Sequence, residues 1–169
     1  MQIFKNDTLQ NKFEEDGFVV IPSFLDKVRV QEILAFIKEK NVRTNVKSMY
    51  SNLEELDKNA ALEVEEFLAK VYNNGLEKYF QDYKIAGSSF LFKGTSRDSA
   101  SYLHQDWNIV DETKDTSMVI WVPLEKVDEE NGCLVVVPGS HKWQTTIRSS
   151  NIDSSLLNTS PITRYDISY

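Results

Sequence analysis

The hydrophobic positions change their period near residue 82. Before it they recur every three or four residues; after it they come in short runs or at every second residue. In "LDKVRVQEILAFIKEK", Val30, Ile33, Leu34 and Ile37 share one helical face, with Asp26 as N-cap and lysines in the last turn. In "SNLEELDKNAALEVEEFLAKVY", Leu53, Leu56, Ala60, Val64, Phe67, Leu68 and Val71 keep the same spacing and glutamates fill the opposite, solvated face. That helix is expected to stop near Asn73-Asn74-Gly75. "NDTLQNKFEEDG" predicts a shorter helix, with Asp7 or Thr8 as N-cap, Leu9 and Phe13 at i, i+4, and Gly17 as its stop. Between the first two helices, "GFVVIPSF" is a β-branched run closed by Pro22 and predicts a buried strand.

Beyond residue 82, "YKIAGSSFLFKG", "TSMVIWVPLEKV" and "GCLVVVPGSH" are rich in β-branched and aromatic residues and predict strands. Asn131-Gly132 marks a turn before the last of them. Pro138-Gly139 suits a type II turn, because Pro presets φ and Gly accepts φ > 0. Helices followed by strands imply an α+β fold in one domain over 1–169, helical over 1–80 and β-rich over 82–147. The β part is expected to form an antiparallel sheet or part of a barrel or jelly roll.

Composition narrows the partners. A net charge of −7 argues against nucleic acid or an anionic membrane surface as the main partner. Cys133 is the only cysteine, which rules out an intrachain disulfide or a cysteine-built zinc site. No run approaches the ~18 apolar residues of a membrane span, and the first residues lack the apolar core of a secretory signal. A soluble, cytoplasmic protein acting on a small-molecule substrate is the expectation.

The candidate chemistry lies in "SYLHQDWNIVDE", residues 101–112. His104 is one of two histidines in the chain, and Asp106 follows it by two. In a strand, i and i+2 point to the same face, so imidazole and carboxylate can converge on one point. They would make two thirds of the facial triad that holds non-haem Fe(II) while leaving positions open. The competing account is a strand-end pair hydrogen-bonded to each other or to backbone. Gln105 and Trp107 alternate to the other face, with structural or substrate-side roles.

Four stretches in order, "FEEDGFVVIPSFLD", "FLFKG", "LHQDWNIVDE" and "VIWVPLEKVDEENGCLVVVPGSHK", carry a resemblance to the phytanoyl-CoA dioxygenase family over about residues 10–145. The resemblance implies N-terminal helices packed on a double-stranded β-helix, with Fe(II) as metal and 2-oxoglutarate as co-substrate. It implies hydroxylation of a C–H bond coupled to conversion of 2-oxoglutarate into succinate and CO2. It casts His104 and Asp106 as metal ligands, Trp121 as the residue lying beside 2-oxoglutarate, and Ser89 as a further co-substrate contact. From the residues alone, Trp121 reads equally as a core aromatic and Ser89 as an ordinary strand-start serine.

The chain also departs from the family pattern. The family uses a second metal histidine on a late strand and, about ten residues on, an arginine that clamps the distal carboxylate of 2-oxoglutarate. After "PGSHKWQ" no histidine follows, and Arg148 and Arg164 stand without one before them. His141 is the only other histidine and a weak alternative ligand, since a turn-end histidine usually bonds to backbone. The chain is therefore expected to lack the C-terminal part of the barrel, which leaves open sheet edges. Truncation is the favoured explanation. The alternatives are a homo-oligomer that closes the edges, or a tail that pairs without announcing it. A non-catalytic fragment or binding and assembly module is the second functional reading, and a cupin-like metal or sugar module the third.

Overall fold

The computed structural model describes residues 1–42, 44–52, 57–96, 99, 103–104, 106, 110–111 and 114–143. Three helices carry the fold: α1 (Asp7–Asp16), α2 (Lys27–Glu39) and α3 (Lys58–Tyr79). Each begins at a side-chain cap. Asn6 accepts from the Leu9 amide, Asp26 from Arg29, and Asp57 from Asn59 and Ala60. The cap of α1 is thus Asn6 rather than Asp7 or Thr8. Its stop is Gly17 as expected, in the left-handed region at φ 82° with its N–H on Phe13 O. Leu53 and Leu56 lie outside the described residues.

Helix α3 does not end at Asn73-Asn74-Gly75 but runs on to Tyr79. Gly75 serves a different purpose from a cap, because a Cβ there would come within 2.7 Å of Phe24 Cζ. The missing side chain lets the Phe24 ring lie against the helix, and tertiary packing overrides the local stop signal.

Two apolar clusters hold the helices. In the larger, Ile33 and Ile37 of α2 meet Val64, Leu68 and Val71 of α3, with Phe90 at one end and the Phe36 and Phe67 rings stacked at 3.8 Å. In the smaller, Phe4, Leu76 and Phe80 pack with Phe13, Phe24, Val19 and Ile21. Gln10 is buried here, and its carboxamide is fully used. Oε1 accepts from the Ile3 and Phe4 amides, and Nε2 donates to Met1 O and Glu14 Oε1.

Among the described residues the sheet has two strands, β1 (Met49–Ser51) and β2 (Leu91–Lys93), antiparallel with Tyr50 opposite Phe92. The expected barrel is not formed by these residues. "GFVVIPSF" is no strand: Val19 and Ile21 face the smaller cluster, Val20 is exposed, and Ser23 at φ 54° turns the chain. Residues 118–124 show the side-chain alternation of a strand without a described ladder. Met118 and Ile120 pack on the smaller cluster and Leu124 on the larger, while Val119 and Trp121 face outward. The patterning is therefore correct about faces, but a strand needs a neighbour about 4.8 Å away to exchange hydrogen bonds.

The two predicted turns form as expected. Gly132 has φ 91°, and its amide and that of Cys133 both reach Asp128 O. Gly139, at φ 75° and ψ −2°, closes a type II turn in which Ser140 N–H reaches Val137 O at 3.1 Å. No helix among the described residues is long and apolar enough to cross a membrane.

Candidate metal centre and co-substrate face

The structure brings His104 and Asp106 together. His104 Nε2 and Asp106 Oδ1 are 3.3 Å apart, with side chains 44% and 56% exposed. The two meet although neither lies in a described strand, so the contact does not come from the strand alternation expected, and 3.3 Å is also the distance of a hydrogen-bonded pair. The donor set, one imidazole nitrogen and one carboxylate oxygen, suits a ferrous ion. Among the described residues, no three His, Cys, Asp or Glu stand close enough together to hold a metal. The pair fits as two donors of a three-donor site and does not close that site by itself. Gln105 and Trp107 lie outside the described residues.

Ser89 and Trp121 share one property: both are exposed. Ser89 is exposed and precedes Phe90, whose ring is buried in the larger cluster. Alternation continues into β2, where Leu91 and Lys93 are exposed and Phe92 packs inward. Trp121 is 39% exposed, next to the inward-facing Ile120. Trp121 belongs to neither apolar cluster of the described residues. Lys93 Nζ donates to Gly132 O at 3.1 Å and ties this strand to the turn at residues 128–132.

His141 does not stand with His104 and Asp106. Its Nε2 lies 3.2 Å from Glu14 O, where Nε2–H donates to the carbonyl, and its ring packs on Gly17. Lys142 Nζ donates to Glu15 O at 2.9 Å, and Gly139 N–H to Asp16 O at 2.7 Å. Three carbonyls at the C-terminus of α1 are thus satisfied by one short segment, two of them across 127 residues of chain. Helix ends leave such carbonyls orphaned, and cationic donors suit the negative end of the dipole. Arg148 and Arg164 lie outside the described residues.

Sequence reasoning missed Asn52. It is 2% exposed, its Oδ1 accepts the Phe90 amide at 2.5 Å, and its own amide donates to Phe90 O at 3.4 Å. Its Nδ2 is buried with no hydrogen-bond partner, which costs about 1–3 kcal/mol. No local signal announces this, because β1 is three residues long and carries no run of β-branched residues.

A family model for phytanoyl-CoA dioxygenase matches residues 13–155, and the chain belongs to that family. Among curated proteins it is similar to the phytanoyl-CoA dioxygenase domain-containing protein 1 homolog of Caenorhabditis briggsae, 23% identical over 189 residues. That match covers 82% of this chain and 66% of the relative. The Caenorhabditis elegans protein of the same description is 23% identical over 185 residues, covering 79% of this chain and 64% of the relative. The chain thus spans just under two thirds of the length of these relatives. No solved structure matches it.

Proposed function

We propose that this chain forms part of an Fe(II)- and 2-oxoglutarate-dependent dioxygenase that hydroxylates a small organic molecule. The observation that carries the proposal is the approach of His104 Nε2 to Asp106 Oδ1 at 3.3 Å, in a chain of the phytanoyl-CoA dioxygenase family. His104 would offer a neutral imidazole lone pair and Asp106 an anionic oxygen. Ser89 would donate its hydroxyl hydrogen to a co-substrate carboxylate. Trp121 presents a flat apolar wall that would exclude water beside it. When bound, iron and 2-oxoglutarate would supply activation of dioxygen, one atom of which ends in succinate as CO2 leaves and the other in the hydroxyl formed at an unactivated C–H bond. The third metal donor, the carboxylate clamp and the closing strands of a double-stranded β-helix belong to this proposal. So does self-association through unpaired sheet edges.

The test is anaerobic addition of Fe(II) and 2-oxoglutarate to the full chain, followed by the visible charge-transfer band of the chelate. The band should form and should vanish in both His104→Ala and Asp106→Ala. A band that survives both substitutions would remove this pair from the site. One observation favours a second reading, a non-catalytic binding or assembly module: the only other histidine, His141, is spent on the Glu14 carbonyl. A folded chain that binds neither Fe(II) nor 2-oxoglutarate would fit that reading, or a site whose remaining donors lie outside this chain.

A further inference from the structure

Ser89 sits at the end of a loosely held stretch. Residues 84–87 are exposed, and Gly87 has open space around it. The first firm anchor after this stretch is Phe90, which is fixed in three ways. Its ring is 5% exposed and lies 6.5 Å from Phe36 and 6.0 Å from Phe92. Its N–H donates to Asn52 Oδ1, and its C=O accepts from Asn52 N–H. One buried residue therefore takes both backbone polar groups of the residue that follows Ser89.

The ladder explains why a side chain is needed. β1 and β2 pair from Met49 with Lys93 to Ser51 with Leu91, so Asn52 and Phe90 stand at the next rung. There the carboxamide oxygen stands in for a backbone carbonyl. Among the described residues only the acceptor half of the carboxamide is used; Nδ2 has no partner. Alternation from an anchored Phe90 then directs Ser89 away from the helices.

We propose that Asn52 is a positioning residue for 2-oxoglutarate: it touches no ligand, but by holding Phe90 it sets the direction in which Ser89 is presented. This rests on the proposed role of Ser89 as a co-substrate contact. Asn52 thus separates co-substrate affinity from metal affinity, because His104 and Asp106 lie on a different segment.

The experiment is a pair of anaerobic titrations of the full chain, Fe(II) alone and then 2-oxoglutarate onto the iron-loaded protein. Amide exchange at Phe90 is followed in parallel. Asn52→Ala should weaken 2-oxoglutarate about tenfold, leave Fe(II) affinity unchanged and speed exchange at Phe90. Asn52→Asp keeps the acceptor oxygen but places a carboxyl at a 2% exposed position, where burial favours its neutral form; it should recover only part of the 2-oxoglutarate affinity lost in Asn52→Ala. Ser89→Ala should weaken 2-oxoglutarate, and adding Asn52→Ala to it should cost little more, since both act through one hydroxyl. If Asn52→Ala does not fold, Asn52→Ser, whose hydroxyl falls short of Phe90, carries the same expectation. Unchanged 2-oxoglutarate affinity in these variants, or an equal loss of Fe(II) and 2-oxoglutarate, overturns the role of Asn52 and leaves the dioxygenase reading standing. A wild-type chain that binds Fe(II) but no 2-oxoglutarate overturns the roles of both Ser89 and Asn52.

Discussion

The residues up to Phe90 and those after it solve burial differently. All ten buried hydrophobic residues among the described ones lie at or before Phe90. After it, Leu91, Leu103, Val119, Trp121, Leu134, Val135 and Trp143 are exposed, although this is the stretch richest in strand-forming residues. The helical part exposes Val20, Val28 and Leu62 as well, but singly, around a filled interior. A helix satisfies its backbone internally and needs only one face covered. A strand satisfies neither edge nor face by itself, so its apolar residues stay outward until a partner arrives. Apolar patterning thus states which residues want burial, and only the partners decide whether they obtain it.

The largest expected effect follows from this contrast. Ile33 is fully buried between α2 and α3, and Ile33→Ala should cost about 2–5 kcal/mol through lost transfer energy and the cavity left behind. Val119 is 69% exposed, and Val119→Ala should stay within about 0.5 kcal/mol. Urea unfolding of the two variants measures both. Comparable losses would mean that the outward face is covered in solution.

A smaller effect separates the two regions by pH. Tyr72 lies on α3 and packs against both clusters, and burial pushes its phenol from 10.0 up to about 12. The neutral form is favoured in the folded chain. Below pH 10 neither state is ionised and the group contributes no pH dependence. Between pH 10 and about 12 the unfolded chain loses this proton and the folded chain keeps it, so stability falls as pH rises. The full loss is about 3 kcal/mol, and Tyr72→Phe should remove it from the alkaline limb of a stability–pH curve. An identical curve in the variant would mean that Tyr72 is hydrated in the folded state.

Much of this was legible because it is local. The Asp26 cap, the Gly17 stop, the spacing of Ile33 and Ile37, and both glycine turns follow from nearest neighbours in the chain. His104 and Asp106 do approach one another, but outside any described strand, so the alternation that suggested it is not what brings them together. What could not be read was anything decided by a distant partner. The continuation of α3 past Gly75 depends on Phe24, some fifty residues earlier. Gln10 reads as a surface residue until residues 1–4 fold over it. Asn52 reads as loop polarity until Phe90 arrives, 38 residues later.

The contact between the two regions at residues 139–142 gives the smallest effect and the sharpest test of their relation. His141, Lys142 and the Gly139 amide meet the last carbonyls of α1, so this clasp joins a turn of the β-rich part to a helix of the other. His141→Ala removes one donor at a solvent-exposed helix end and should cost about 1 kcal/mol. Gly17→Ala should cost more, because an alanine must adopt φ 82° and its methyl would also run into the His141 ring. The two substitutions relieve one another. In the His141→Ala background the methyl of Gly17→Ala finds room and only the backbone strain remains. The double variant should therefore be more stable than the sum of the single losses implies, by about 0.5–1 kcal/mol in a urea-melt cycle. Additive losses would mean that the turn does not rest on α1 in solution, and that the helical part folds without reference to the strands beyond it.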